Sequence, residues 1–292
     1  MDGILILNKP QCISSNTAAR KAMRMLGAKK GGHAGTLDPM AQGVLVVLLG
    51  KATRLSEYAM DGKKEYVASI KFGIETDTLD IWGAQTNVDI PSFTSAQLEE
   101  SLDAFIGDFE QIPPMYSAIK KGGVKMYELA RKGQKVELGA RHVNVERIEL
   151  LGNGAPNSAD VLLVCSKGFY VRSFCRDLAQ SLGTIGVMSG LTRVRSGDFG
   201  IAHSYSFEDI EEAIGSGVAA SIVKPCDSVL GHMPMVELEY EQAKSISNGR
   251  ATRILGDEGL ARCYFRGSFF AIGSIKSGTL SAKKVLFDLE AL

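Results

Sequence analysis

Two uninterrupted apolar runs, Ile4-Leu5-Ile6-Leu7 and Val44-Leu45-Val46-Val47-Leu48-Leu49, frame the first fifty residues. The first predicts a strand; the second predicts a buried strand or helix anchoring whatever precedes it. Between them, Thr17 to Leu26 has helical spacing, with Ser14 or Ser15 as N-cap and Gly27 as the stop. Glu65 to Phe72 alternates as a half-buried strand should. Ser95 to Phe105 predicts a helix capped by Thr94 or Ser95, and Tyr127 to Arg131 a short helix ending before Gly133. Val143 to Leu151 and Val161 to Cys165 predict two strands joined by a Gly/Asn/Pro turn at 152–157. Ser173 to Leu182 predicts a helix stopped by Gly183, and Tyr170-Val171-Arg172 reads as strand, with Tyr170 and Arg172 on one face. Strands and helices cluster rather than alternate, which predicts an α+β fold with an antiparallel sheet.

Around Ser221 to Gly231 the character changes. Met235 to Leu238, Ala261 to Phe265, Phe269 to Ile275 and Lys284 to Phe287 are short strand-like pieces punctuated by Gly249, Gly267 and Gly278. The expected organisation is a large domain over residues 1–228 and a small β-rich one over 229–292.

Composition narrows the function classes. Apolar residues make up 45% of the chain, as in a soluble globular protein, and no run approaches a membrane span. No charged-then-apolar leader precedes the first strand, so a cytoplasmic protein without membrane contact is expected. The five cysteines (12, 165, 175, 226, 263) form no Cys-x-x-Cys pair and no metal-like spacing with the four histidines. Reduced thiols and no structural metal are expected.

Net charge is zero, which alone argues against a nucleic-acid partner, but its distribution reverses that. Residues 20–33 carry Arg20, Lys21, Arg24, Lys29 and Lys30 with no acid. Residues 115–145 carry seven basic and two acidic residues, and residues 165–195 five basic and one acidic. Residues 75–110 carry nine acids and no Lys or Arg. Basic segments beside motifs fit a groove that tracks phosphates better than ordinary solvated surface.

The chemistry concentrates in Gly32-His33-Ala34-Gly35-Thr36-Leu37-Asp38-Pro39-Met40-Ala41-Gln42-Gly43. One acid, Asp38, sits among glycines with a proline after it, so a tightly turned loop presents a single carboxylate. A lone Asp in such a turn is usually a cap, but the length of the pattern argues otherwise. A phosphate-binding P-loop is excluded, because Leu45 and Ala52 occupy positions that need Gly and Ser or Thr around Gly50-Lys51. An aspartyl-phosphate nucleophile lacks a neighbouring acid to hold magnesium.

This stretch closely resembles the catalytic motif of the TruB family of tRNA pseudouridine synthases. The likeness continues in order through Asn8-Lys9-Pro10, Lys64-Glu65-Tyr66, Gly73 to Asp80, Gln111 to Lys120, Tyr127 to Arg131 and Cys165 to Ser173. The resemblance implies a mixed, largely antiparallel sheet with flanking helices and a central catalytic cleft. It also implies a C-terminal RNA-binding pseudobarrel of the PUA type over 229–292. The implied reaction isomerises uridine 55 in the TΨC loop of tRNA, with no cofactor, no metal and no guide RNA, by a monomer.

Residue by residue, the resemblance makes Asp38 the essential carboxylate and Arg172 its ion-pair partner. Tyr66 stacks on the target base, with removal of the C5 proton left open as a second task. Tyr170 forms a pocket wall, Leu191 packs under acid and base, and His33 enters the RNA loop. Lys9, Lys64, Lys120 and Lys121 are expected to contact phosphates. The family's Leu-Arg-Arg is here Leu191-Thr192-Arg193, which puts one RNA contact in doubt. Three routes stay open: attack on C1′, addition to C6, or abstraction of the C2′ proton. Retention of Asp38, Tyr66 and Arg172 together argues against an RNA chaperone that has lost catalysis. A guide-dependent relative would be expected to carry extra basic tails.

Overall fold

The computed structural model describes residues 1–117, 120–121, 124–125, 138–155 and 157–291, with the side chains of 120, 121, 124, 125, 153–155 and 291 left aside. The predicted helix at 127–131 lies outside these residues. Among them, ten strands form one sheet. Its strands include β1 (Gly3–Lys9), β2 (Gly31–Ala34), β3 (Gln42–Leu49), β4 (Lys64–Phe72), β5 (Gly107–Gln111), β6 (Arg141–Ala155), β7 (Ser158–Cys165), β8 (Gly186–Ser196) and β9 (Val223–Lys224). The path runs β9-β1-β3-β8-β4-β7-β6-β5, with β2 paired onto β3 and Phe199–Gly200 onto β8. Every pairing is antiparallel except β3 with β8, where Gln42 and Gly43 face Thr192 and Arg193. The fold is α+β, as the patterning predicts, and its sheet is mixed and largely antiparallel, as the resemblance implies.

The continuous apolar runs have a physical explanation: β1 and β3 are covered on both faces. Leu5, Leu7, Leu45, Val47 and Leu49 pack against α1 (Ser15–Met25) and the helix Phe207–Gly215. Ile4, Ile6, Val44, Val46 and Leu48 join a core with Ala52, Leu55, Val229 and Leu230, which Phe269 and Ile272 of the C-terminal sheet and Leu286 just after it complete. β4 alternates strictly between buried and half-buried positions, one face lying on Phe174 and Leu178 of the helix Val171–Ser181. Ser14 caps α1 by accepting the Thr17 N–H, and Gly27 follows it at φ +64°. Thr94 and Gln97 form a capping box on the helix Ser95–Asp103.

Residues 235–285 form a separate curled sheet of five strands, ordered Met235–Glu237, Gly259–Phe265, Ser268–Lys276, Thr279–Val285, Thr252–Arg253. The predicted strand at 284–287 lies earlier, at Thr279–Val285. Ser277 and Gly278 both take positive φ and close a tight hairpin, so pairing begins at polar Thr279. The helices Phe207–Gly215 and Tyr240–Ser247 escaped the apolar-run reading, although each carries a capping box, Ser206 with Asp209 and Glu239 with Gln242.

The C-terminal sheet is bonded as well as packed to the body. Arg262 donates to Met233 O at 3.0 Å and lies 3.3 Å from the Asp227 carboxylate, which also accepts the Tyr264 hydroxyl. Lys284 donates to Arg54 O at 2.7 Å and to Glu57 at 2.6 Å. Ending the chain at residue 228 would strip Val229, Leu230, Met233, Phe269, Ile272 and Leu286 from the core that this face of β1 and β3 shares, beside the Asp38 loop that runs into β3. That truncation should aggregate or melt lower by roughly 10 °C, read by calorimetry and light scattering. A soluble truncation with the full-length melting temperature would show the shared core to be dispensable.

Candidate active site

The loop Gly35–Ala41 runs from β2 to β3 and is fixed from several sides. Buried Ser15, at the start of α1, donates to Leu37 O at 2.7 Å and accepts the Leu37 N–H at 2.8 Å. The Cys12 N–H donates to Pro39 O, and Ala41 N–H to Asp38 O. Lys9 is fully buried, and its ammonium donates to Pro10 O and Ile13 O at 2.8 Å and to Pro39 O at 3.5 Å. Arg193, also buried, donates to Val44 O at 2.7 Å and to Gly35 O at 2.9 Å. Opposite it, Gly43 has φ +99°, and a Cβ there would stand 2.3 Å from Arg193 O, so only glycine fits the parallel crossing.

Asp38 projects from this frame with 35% of its side chain open. Its Oδ2 lies 2.9 Å from Arg172 Nε. Arg172 is 5% exposed and spends its other donors on Thr78 O at 2.9 Å and Tyr116 O at 2.8 Å. Asp80 Oδ2 lies 3.7 Å from Arg172 Nη1. One guanidinium thus ties the Asp38 loop to two others, 76–83 and 112–117. Burial pushes the Asp38 carboxyl above the ordinary carboxylate range, Arg172 pulls it back, and Asp80 pushes it up again.

Arg172 does not lie on a strand with Tyr170, as its spacing predicts. It sits in the first turn of the helix Val171–Ser181, with Tyr170 as the N-cap. The side chain of buried Gln111 accepts the Tyr170 N–H at 2.8 Å and donates to Tyr170 O at 3.1 Å. That contact from β5 satisfies the peptide before the helix and lets the helix begin two residues early. The helix N-terminus adds positive potential beside Asp38.

Tyr66 on β4 is 9% exposed and shares a core with Leu37, Met40 and Leu191. Burial raises its phenol above 10, with Arg193 opposing the shift, so the hydroxyl stays protonated at neutral pH. Tyr170 is half-buried and its phenol is likewise raised by burial, with the charges of Arg172 and Asp38 in range. His33 on β2 is half-buried, its Nδ1 has no hydrogen-bond partner among the described residues, and burial and Arg193 lower its pKa. It is therefore neutral at pH 7.

Asp38, Arg172, Tyr66, Tyr170 and Leu191 come together. Lys9 and Lys64 do not meet the expectation of phosphate contacts. Lys64 is 6% exposed and donates to Met60 O at 2.6 Å and Gly62 O at 2.7 Å. Both ammonium groups are satisfied internally by carbonyls, and burial pushes both pKa values down to about 8. The Lys120 and Lys121 side chains lie outside the described residues. Asp80, Gln111 and Arg193 were missed as site residues. Asp80 lies within a quoted motif but reads as part of an acidic face, and Arg193 reads as one more surface cation. No three His, Cys, Asp or Glu side chains among the described residues group to hold a metal. No helix there is long and apolar enough to cross a membrane.

The architecture belongs to the pseudouridylate synthase class. A structure of an H/ACA RNP bound to a substrate RNA containing 2′-deoxyuridine matches with TM-score 0.74 at 20% identity, over 98% of this chain and 85% of that one. A Cbf5-Nop10-Gar1 complex matches with TM-score 0.74 at 23% identity, over 99% of this chain and 86% of that one. At these identities the fold alone is shared. Residues 23–171 match the N-terminal domain of the TruB family of pseudouridylate synthases, and residues 172–231 the tRNA pseudouridylate synthase B C-terminal domain. The tRNA pseudouridine synthase B of Aromatoleum aromaticum is 40% identical over 98% of this chain and 93% of its own length. That of Geobacillus kaustophilus is 40% identical over 87% of this chain and 92% of its own. The chain belongs to the TruB family of tRNA pseudouridine synthases.

Proposed function

We propose that this enzyme isomerises uridine 55 in the TΨC loop of tRNA, in the cytoplasm, as a monomer without cofactor, metal or guide RNA. Asp38 is the essential carboxylate. The observation that carries this reading is the 2.9 Å pair between Asp38 and buried Arg172 on a loop fixed from both sides. The reaction breaks N1–C1′, turns the base and joins C5 to C1′; C5 loses a proton and N1 gains one. Neither electrons nor phosphoryl groups are exchanged, so one ionised carboxylate suffices for any of the three routes. Arg172 keeps that carboxylate charged and oriented. Tyr66 stacks on the base over Leu191, and its raised pKa favours stacking or proton donation over action as a phenolate base. Tyr170 closes one wall, and neutral His33 enters the RNA loop.

The uridine must leave its folded loop, at a cost of a few kcal/mol. Stacking on Tyr66 returns ~1–3 kcal/mol, and contacts to the RNA backbone supply the rest. With Lys9 and Lys64 turned inward, those contacts fall to the exposed Lys29 and Lys30 after α1, together with Lys120 and Lys121, whose side chains lie outside the described residues. Residues 229–292 act as a PUA-like RNA-binding domain.

A TΨC stem-loop hairpin should therefore suffice as substrate. The purified protein in EDTA should convert one uridine of the hairpin, measured by tritium release from C5. A hairpin with its stem mismatched should react poorly, because the loop shape is lost. Equal conversion of both hairpins, or of neither, would overturn the assignment.

A further inference from the structure

The chain contains a single tryptophan, Trp82, and it is 54% exposed. An indole buries more apolar surface than almost any other side chain, so leaving half of it in water forgoes stabilisation. Among the described residues no aromatic ring or cation stacks on it. Its neighbour Ile81 is exposed too.

Other exposed apolar residues, such as Ile90 and Leu255, are not tied to the catalytic charges. Trp82 is. Its backbone N–H donates to Asp80 Oδ1 at 3.1 Å; Asp80 Oδ2 lies 3.7 Å from Arg172 Nη1; and Arg172 Nε lies 2.9 Å from Asp38 Oδ2. The loop that carries it is stitched to β8, with Ile81 N–H on Met188 O at 2.9 Å and Met188 N–H on Leu79 O at 3.1 Å. Within the loop, Thr76 and Thr78 donate to Asp80, and Asp77 accepts the Ala84 N–H. Leu79 is held at φ +61°, and a Cβ on Gly83 would stand 2.3 Å from Thr78 Oγ1. Several constraints thus fix the loop that shares Arg172 with Asp38 and that carries the exposed indole.

Residues 76–83 contain two acids and no Lys or Arg, so this loop offers RNA phosphates no cation. What it offers is a flat apolar face, and every base presents the complementary surface. We propose that Trp82 is a stacking platform for a base of the substrate RNA loop other than the flipped uridine, adding affinity and orientation beside the Asp38–Arg172 pair. The inference rests on the tRNA-loop reading above. Because all bases stack, Trp82 selects loop shape rather than sequence.

The lone tryptophan makes the test direct. Its emission should be quenched, saturably, as the unlabelled TΨC hairpin is added to the wild-type enzyme. Binding is measured in parallel by the anisotropy of a fluorescein-labelled hairpin. Trp82→Ala should raise KM for the hairpin about 5- to 100-fold, the range expected for one lost base stack, with kcat within about twofold. Trp82→Phe should recover most of the loss. Circular dichroism and melting temperature of both variants should match wild type, since the side chain is exposed. A hairpin that binds by anisotropy without changing the emission would overturn the proposal. An unchanged KM in Trp82→Ala would also overturn it while leaving the substrate reading intact. Absence of hairpin binding altogether would overturn both.

Discussion

Asp38→Asn should lower kcat on the TΨC hairpin by at least about a thousandfold while leaving hairpin affinity within about threefold. The amide keeps the shape and can still accept a hydrogen bond from Arg172 Nε. It removes the negative charge that C1′ attack, C6 addition and C2′ proton abstraction all require. The same substitution should change the stability of the fold only modestly. Burial raises the Asp38 pKa in the native state, so the native protein binds this proton more tightly than the unfolded chain does. The contribution of this group to stability is greatest below the unfolded pKa and falls as pH rises through the native one. At neutral pH the ionised carboxylate is a cost to the fold that a neutral amide lacks. Against this stands the anionic partner that Arg172 loses, although Asp80 remains at 3.7 Å, so Asp38→Asn should melt within a few degrees of wild type at pH 7.5. Turnover within tenfold of wild type would remove Asp38 from the chemistry, and a melting temperature several degrees lower would show that the carboxylate is a structural anchor.

Local signals were legible wherever neighbours in sequence decide the structure. Ser14, Thr94 and Gly27 mark helix ends through their own backbone and side-chain chemistry. The alternation of β4 and the loop around Asp38 lie in short windows. What could not be read depends on groups far apart in sequence. The helix carrying Arg172 starts at Val171 because Gln111, some sixty residues earlier, closes the Tyr170 peptide. Lys9 and Lys64 look like surface cations until carbonyls from Pro10, Ile13, Met60 and Gly62 are seen to surround them. Arg193 is paired with backbone oxygens of Gly35 and Val44 across the sheet. A basic residue next to a motif signals an RNA groove only if its head reaches solvent; here several of the motif cations are instead internal braces.

That distinction bears on the reaction. Isomerisation needs a carboxylate that keeps its place while RNA is bent around it. Ser15, Lys9 and Arg193 fix the backbone of its loop, and Arg172 fixes the carboxylate itself. Buried cations donating to loop carbonyls are suited to this, because each carbonyl would otherwise be an unsatisfied buried acceptor. The exposed cations of α1 and the segment after it remain for the RNA, and their contribution should weaken with salt as phosphate contacts do.

Arg172→Met should produce the second large effect, in both stability and pH dependence. The substitution keeps apolar bulk but leaves Thr78 O and Tyr116 O without their donor and sets Asp38 and Asp80 side by side with no intervening cation. Removing one partner from a buried charge network typically costs about 3–5 kcal/mol. For a domain of this size that corresponds to a melting temperature lower by about 6–20 °C. Arg172 is the main influence lowering the Asp38 pKa, and Asp80 raises it. With the guanidinium gone, burial and Asp80 push the pKa up, and only the smaller pull of Lys9 opposes them. The acid limb of the kcat profile, which follows ionisation of Asp38, should move to higher pH, so activity should fall more at the acid end of the range than at its alkaline end. Arg172→Lys should not restore the enzyme. An ammonium is a single point of charge and cannot reach Asp38, Thr78 O and Tyr116 O at once as the planar fork does. The measurements are kcat against pH from 5 to 9 and calorimetric melting of wild type, Arg172→Met and Arg172→Lys. An acid limb that stays in place in Arg172→Met would detach Arg172 from Asp38 ionisation, and full rescue by Lys would show that charge alone, without the three-way fork, is what the site requires.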